Sequence, residues 1–403
     1  MQMKTDQVIP GQESRAGSNN IVSLFLDRRL LRGSILWVII IFLMANIIVV
    51  KWHRSLQEQR RENLLVSLDH SSEGGIRWDM SAGENMDRYW SFIPDSSTYK
   101  LVILAGMSQM YAINEGQPND KTISENMDDA LSIKGIRVFG MAAPNLDNEE
   151  ATLLLLSTLS DPRTRPDVFI YGVCFDKFRN IDLRPGYQKF MENRPALRSL
   201  WLETAMEYKG RYPLASEKMS RSLNELAGDK EREGETMDTR LREWTSRWLP
   251  VVSARADLNA VVQNQLFLLR NWVFNIKPTS KRPIIEGRFV MNKEFLEMMV
   301  DIAGRNGVTI ILYVIPLNPL AESPYIPEQY ADFKFWLEGF CKENGVPFAN
   351  VENVVPTDAW GEFMGGPDFK HFKEEGHRLP AKALLERFGP IILRSERRLV
   401  RVQ

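Results

Sequence analysis

The sequence predicts an α/β protein: a parallel sheet covered by helices on both faces as three layers, with a long helical insertion and one N-terminal transmembrane helix. Three observations carry that expectation. Four short, continuously apolar runs alternate with segments of helical periodicity, the signature of strands buried on both faces of a parallel sheet. A block rich in Trp, Met, Leu and mixed charge, Ile181–Gly307, separates the third run from the fourth. A single long apolar stretch, Ser34–Val50, stands near the start.

Taken in order, residues 1–33 read as a polar tail, rich in Gly, Ser, Asn and Gln as far as Asn20, then briefly amphipathic over Ile21–Leu31. Ser34–Val50 (SILWVIIIFLMANIIVV) is interrupted strongly by Asn46 alone. About 17 to 20 apolar residues reach across a hydrocarbon core, so 34–51 is expected to anchor the chain in a membrane. The length of the run, its start after a long tail and the lack of a small-x-small cleavage site argue against a signal peptide. Arg28, Arg29 and Arg32 precede the span, and Lys51, Arg54, Arg60 and Arg61 follow it, so the positive-inside count leaves its orientation open. Residues 52–97 read as stalk and linker.

The main domain is expected over 98–395. Its strands are Lys100–Ala105, Ile136–Met141, Asp167–Val173 and Val308–Ile315, the last stopped by Pro316. Ser124–Leu131, Asn148–Leu159 and the closing Leu379–Phe388 read as helices, the second with Glu149 and Glu150 where its dipole favours them. The insertion, about 181–290, offers Pro195–Tyr208, Ser216–Leu226, Thr239–Trp248 and Asp257–Phe274 as helices. They suit an active-site wall, a partner surface or added packing, and sequence does not separate the three. Met291–Arg305 then leads into the fourth strand, and 396–403 form a basic tail.

Composition excludes several function classes. Across 403 residues the net charge is −1 and the signs are interspersed, which argues against a nucleic-acid partner. Cys174 and Cys341 are too few for a disulfide scaffold or a four-thiolate zinc site, and read as buried thiols. No P-loop, Gly-x-Gly-x-x-Gly or His-Glu-x-x-His occurs, so no cofactor or metal is expected. Asp128 and Asp129 read as a solvated helical face, and Trp201, Trp244, Trp248 and Trp272 as core packing.

The chemistry-bearing residues lie far apart in sequence. Leu101-Val-Ile-Leu-Ala-Gly-Met-Ser108 delivers a serine at the end of a buried strand, and Asp368-Phe-Lys-His371 offers a carboxylate and an imidazole on one loop. A serine hydroxyl is a weak nucleophile until a base takes its proton and a third group orients that base. Of four histidines, His53 and His70 flank the anchor, so the choice of base narrows to His371 and His377. In open parallel sheets ligands bind beyond the carboxyl ends of the strands. Ser108, the Ala142–Asn145 segment and the Cys174–Asp176 segment each follow a strand at that edge.

This order of motifs resembles the SGNH (GDSL-like) hydrolases, with their flavodoxin-like sheet, over roughly 98–183 and 305–390. Asp368-Phe-Lys-His371-Phe-Lys-Glu-Glu-Gly376-His377 resembles the family's Asp-x-x-His-x-x-x-x-Gly-His ending. With its anchor and insertion the chain is similar to the divergent membrane-anchored branch, which includes accessory proteins of polysaccharide O-acetylation and teichoic acid D-alanylation. The resemblance implies Ser108 as nucleophile, His371 as general base and Asp368 as its orienting acid. It implies Gly106 as the residue that permits a sharp turn, and the Ser108 N–H as an oxyanion donor. It further implies a cytoplasmic N-terminus, an extracytoplasmic main domain, an acylated polysaccharide substrate and a membrane acyltransferase partner. Three blocks depart from the family. Gly106-Met107-Ser108 replaces Gly-Asp-Ser, Met141-Ala-Ala-Pro-Asn145 lacks the second-block glycine, and Gly172-Val-Cys-Phe-Asp176 replaces Gly-x-Asn-Asp. Asn145, with Cys174 and Asp176 at the pocket edge, is then the candidate for the missing donor. The alternative is a catalytically silent anchored scaffold that binds a membrane acyltransferase or polymer-export partner.

Overall fold

All four apolar runs become strands of one parallel sheet in a computed structural model, which describes residues 90–117, 119–179, 183–232, 280–363 and 366–395, together with Trp37, Met44, Lys51 and Met86. The strands are β1 (Lys100–Gly106), β2 (Ile136–Ala142), β3 (Val168–Val173), β4 (Thr309–Val314) and β5 (Phe348–Asn350). They pair in the order β2-β1-β3-β4-β5, parallel throughout. The chain divides into two units, 1–59 with 235–266 and 60–234 with 267–403, and the sheet belongs to the second. The tail, most of the anchor and stalk, Thr239–Trp248, Asp257–Phe274 and residues 396–403 lie outside the described residues. Among the described residues no helix is long and apolar enough to cross a membrane.

The helices are α1 (Ile123–Ser132), α2 (Asn148–Ser160), α3 (Pro185–Glu192), α4 (Pro195–Tyr208), α5 (Pro213–Arg232), α6 (Glu286–Arg305), α7 (Pro327–Glu343) and α8 (Glu374–Arg394). Capping boxes start the first two: Thr122 with Glu125, and Asp147 with Glu150, each satisfy two otherwise orphaned N–H groups. β1 connects to β2 on one side, whereas β2 connects back past β1 to β3. Right-handed crossovers therefore put α1 and α2 on opposite faces. α1 packs on α8, and α2 on α6, which completes three layers. Leu101–Ala105 are fully buried between them.

Several expectations need correction. Asp128 does not face solvent. It is buried, accepting from Arg137 Nε at 3.1 Å and Val138 N at 2.6 Å, while Asp129 is the exposed partner of Lys121. The helical spacing of Ser124, Met127, Asp128 and Leu131 turns that face toward β2. The closing helix is longer than expected and accommodates Pro380 and Pro390, each forfeiting one backbone bond. Trp201 is buried, its indole N–H donating to Met219 O at 3.0 Å.

The largest correction concerns Asp368 and His371, which lie on a strand rather than a loop. β6 (Trp360–Phe363) and β7 (Gly366–Phe372) form an antiparallel ribbon. Its register runs Trp360↔Phe372 but Glu362↔Pro367, so β7 carries surplus residues that bulge away from β6. Asp368 and His371 sit in that bulge.

Candidate active site

β1 ends at Gly106 and the chain tightens into a 3-10 turn over Ser108–Met110. Gly106 does not adopt a left-handed φ. Its role differs from the expected sharp turn: a Cβ there would lie 2.6 Å from Met110 Cγ, so glycine makes room for Met110 to fold back. Ser108 thus emerges beyond the carboxyl end of β1. There the connection from β1 leaves toward β2 and that from β3 leaves toward β4, the switch point that opens a crevice in a doubly wound sheet.

β7 is drawn over this edge by its carbonyls. Asn318 Nδ2 donates to Asp368 O at 2.8 Å, Asn318 N to Phe369 O at 3.1 Å, and Gln109 Nε2 to Lys370 O at 2.7 Å. Gln109 also donates to Pro316 O at 2.8 Å, tying the segments after β1 and β4 together. Within the bulge Asp368 Oδ1 accepts from the backbone N–H of Lys370 at 2.9 Å and of His371 at 3.0 Å, a local turn that aspartate side chains readily make. This turn, not strand alternation, brings residues three apart to the same side.

The remaining carboxylate oxygen, Asp368 Oδ2, lies 3.0 Å from His371 Nδ1, and His371 Nε2 lies 2.8 Å from Ser108 Oγ. An ionised carboxylate accepts and cannot donate, so Nδ1 carries the proton and the Nε2 lone pair faces the serine O–H. Burial pushes the Asp368 carboxyl up. The hydrogen bond and charge of His371, helped by the two backbone N–H groups, outweigh it and hold the group below its ordinary value. The His371 side chain is 31% exposed and that of Asp368 8%, so solvent reaches the imidazole while the acid is screened. Ser108 is half-buried. His377 is fully buried, donating from Nε2 to Ala112 O at 3.2 Å with its ring against Phe372. It packs and does not approach Ser108.

The other candidates do not join the three. Asn145 is exposed in a turn with φ 48 and hydrogen-bonds none of them among the described residues. Cys174 is buried with Sγ 3.4 Å from the Tyr325 hydroxyl. Asp176 is buried as well, its carboxylate paired with Lys370, with Arg282 at 3.0 Å and with the Tyr325 O–H at 3.2 Å. Burial raises that carboxyl, and the neighbouring Lys370 and Arg282 charges more than reverse the effect, leaving it lowered. Buried cations need a counter-ion, so Asp176 serves as the anchor that ties β7 to the end of β3. The Ser108 N–H opens the 3-10 turn and has no backbone acceptor among the described residues, as an oxyanion donor requires. A cavity of about 370 Å³ lies along the same sheet edge, lined by Asn318, Tyr325, Tyr330, Lys334, Glu352 and Phe369; neither Ser108 nor His371 lines it.

A serine, an imidazole and a carboxylate joined in this order form a Ser-His-Asp triad on a doubly wound α/β sheet. No family model and no curated protein matches the chain. Similar solved structures include a protein from Bacteroides fragilis described as a putative acylhydrolase, at 11% identity and a TM-score of 0.35, covering 76% of this chain and 94% of that one. A GDSL-like lipase from Bacteroides thetaiotaomicron is similar at 10% identity and a TM-score of 0.35, covering 79% of this chain and all of its own. Likeness at this level leaves the chemistry to be argued from the side chains themselves.

Proposed function

We propose that the protein is a membrane-anchored serine esterase or O-acyltransferase that removes or transfers acyl groups of a cell-surface polysaccharide through an acyl-Ser108 intermediate. The observation that carries the chemistry is the unbroken run of hydrogen bonds from Ser108 Oγ to His371 at 2.8 Å and from His371 to Asp368 at 3.0 Å. Ser108 Oγ attacks the ester carbonyl as His371 Nε2 takes its proton, and the new charge on the imidazole is met by Asp368. The carbonyl oxygen becomes an oxyanion within reach of the Ser108 N–H. His371 then returns the proton to the departing alkoxide. Water or a sugar hydroxyl, deprotonated by the same imidazole, releases the acyl group, so esterase and transferase differ in the acceptor alone.

Two sequence features support the rest of the reading. The apolar run Ser34–Val50 supports the anchor. The resemblance to the anchored branch supports the polysaccharide, the extracytoplasmic side and a membrane acyltransferase as partner. A second reading, a silent scaffold for such a partner, is favoured by one observation: among the described residues no side-chain amide hydrogen-bonds Ser108, whose side-chain partner is His371. A fluorophosphonate probe separates the two. Labelling of the wild type and its loss in Ser108→Ala supports the enzyme; a wild type that stays unlabelled supports the scaffold.

A further inference from the structure

We propose that Asn114 is a positioning residue of the triad, its side-chain amide holding the Asp368 carboxylate in the orientation His371 uses. This rests on the reading of Ser108, His371 and Asp368 as catalytic. Asn114 Nδ2 lies 3.3 Å from Asp368 Oδ2, the same oxygen that accepts from His371 Nδ1. It also lies 3.0 Å from the backbone carbonyl of Glu362 on β6. Both acceptors lack a proton to give, so the amide nitrogen must be the atom that faces them. Each oxygen of Asp368 is then held twice: Oδ1 by the Lys370 and His371 backbone N–H groups, Oδ2 by His371 and Asn114.

The chain around Asn114 is fixed in a way that serves this contact. Its own N–H donates to Phe372 O at 2.9 Å, and Ala112 O accepts from His377 at 3.2 Å. Glu115, the next residue, is held in the left-handed region at φ 54 and pairs with Lys373 at 3.0 Å. Non-glycine residues persist in that region where surrounding contacts over-determine them. The ribbon makes room as well: a Cβ on Gly361 would sit 2.0 Å from Asn114 Cγ, so glycine on β6 is what lets the amide reach Asp368.

The test uses the full chain in detergent and an activated acetate ester. A hydrogen bond to a charged group lost at the transition state predicts that Asn114→Ala lowers kcat roughly tenfold with KM unchanged. The isosteric Asn114→Asp, which replaces a donor by a second carboxylate, loses at least as much. Gly361→Ala displaces the amide and gives a comparable loss, with no further loss when combined with Asn114→Ala. With four histidines in the chain, the His371 Nδ1–H resonance is assignable by its disappearance in His371→Gln. It shifts in Asn114→Ala and in Gly361→Ala, while the His377 signal stays. Variants that lose thermal stability but keep kcat and the His371 resonance overturn the proposal. If the wild type hydrolyses no ester, the proposed function fails on its own, and the resonance alone decides Asn114: unmoved, the proposal is wrong.

Discussion

At the scale of single residues, burial decides which groups keep their charge. Lys177 is fully enclosed, its ammonium donating to Gly172 O at 2.7 Å above the Tyr171 ring. Burial pushes that ammonium down from 10.5 to about 7, with Cys174 and Asp147 offsetting a part. Between those two values the unfolded chain binds the proton more tightly than the folded one, so this group makes stability rise with pH from about 7 to about 10.5. Lys177→Met is expected to flatten that rise. Urea midpoints at about pH 7 and about pH 9 check it; a rise unchanged in the variant contradicts the account.

At the scale of elements, the site depends on β7 being clamped over the ends of β1, β3 and β4. The buried Asp176–Lys370 pair is the ionic part of that clamp, and Arg282 shares the same carboxylate. Removing one member of a buried pair leaves a charge uncompensated, at about 3–5 kcal/mol. Asp176→Ala is expected to lower the unfolding free energy by that order and to reduce activity through a loosened β7. Asp176→Ala combined with Lys370→Met recovers part of the stability, because no lone ammonium remains at that position. Denaturant unfolding of the single and double variants decides this, and a single variant as stable as wild type argues against the clamp.

The same elements show what sequence could and could not reveal. β1 to β4 were legible because each is an apolar run of strand length bounded by polar segments. Ser108 was legible because it closes such a run, and Asp368 with His371 because an acid and an imidazole share a short spacing. β5 was not, since Phe348–Asn350 is too short to show a period. The ribbon was missed because its bulge breaks strand alternation at the residues that matter. Asn114, Gln109 and Asn318 left no signal at all. Single amides have no spacing rule, and each earns its place by reaching a carbonyl or carboxylate from a distant segment. The pairing of Asp176 was not legible because its two cations come from segments more than a hundred residues downstream.

For the whole molecule, the strand order does the organising. β1 and β3 are neighbours whose connections diverge, and the crevice they open receives Ser108 from one and the Asp176 anchor for β7 from the other. The depressed carboxyls of Asp176 and Asp368 add stability that is present above their unfolded values and fades as pH falls through the lower folded ones. The domain and its triad therefore share an acid limit. Most direct for the central claim is a trapping measurement. The full chain is mixed with an activated acetate ester, quenched in acid and digested for mass spectrometry. A single acetyl on the peptide carrying Ser108, absent in Ser108→Ala and strongly reduced in His371→Ala, is the predicted result. Acetylation spread over surface lysines, with none on Ser108, would contradict it.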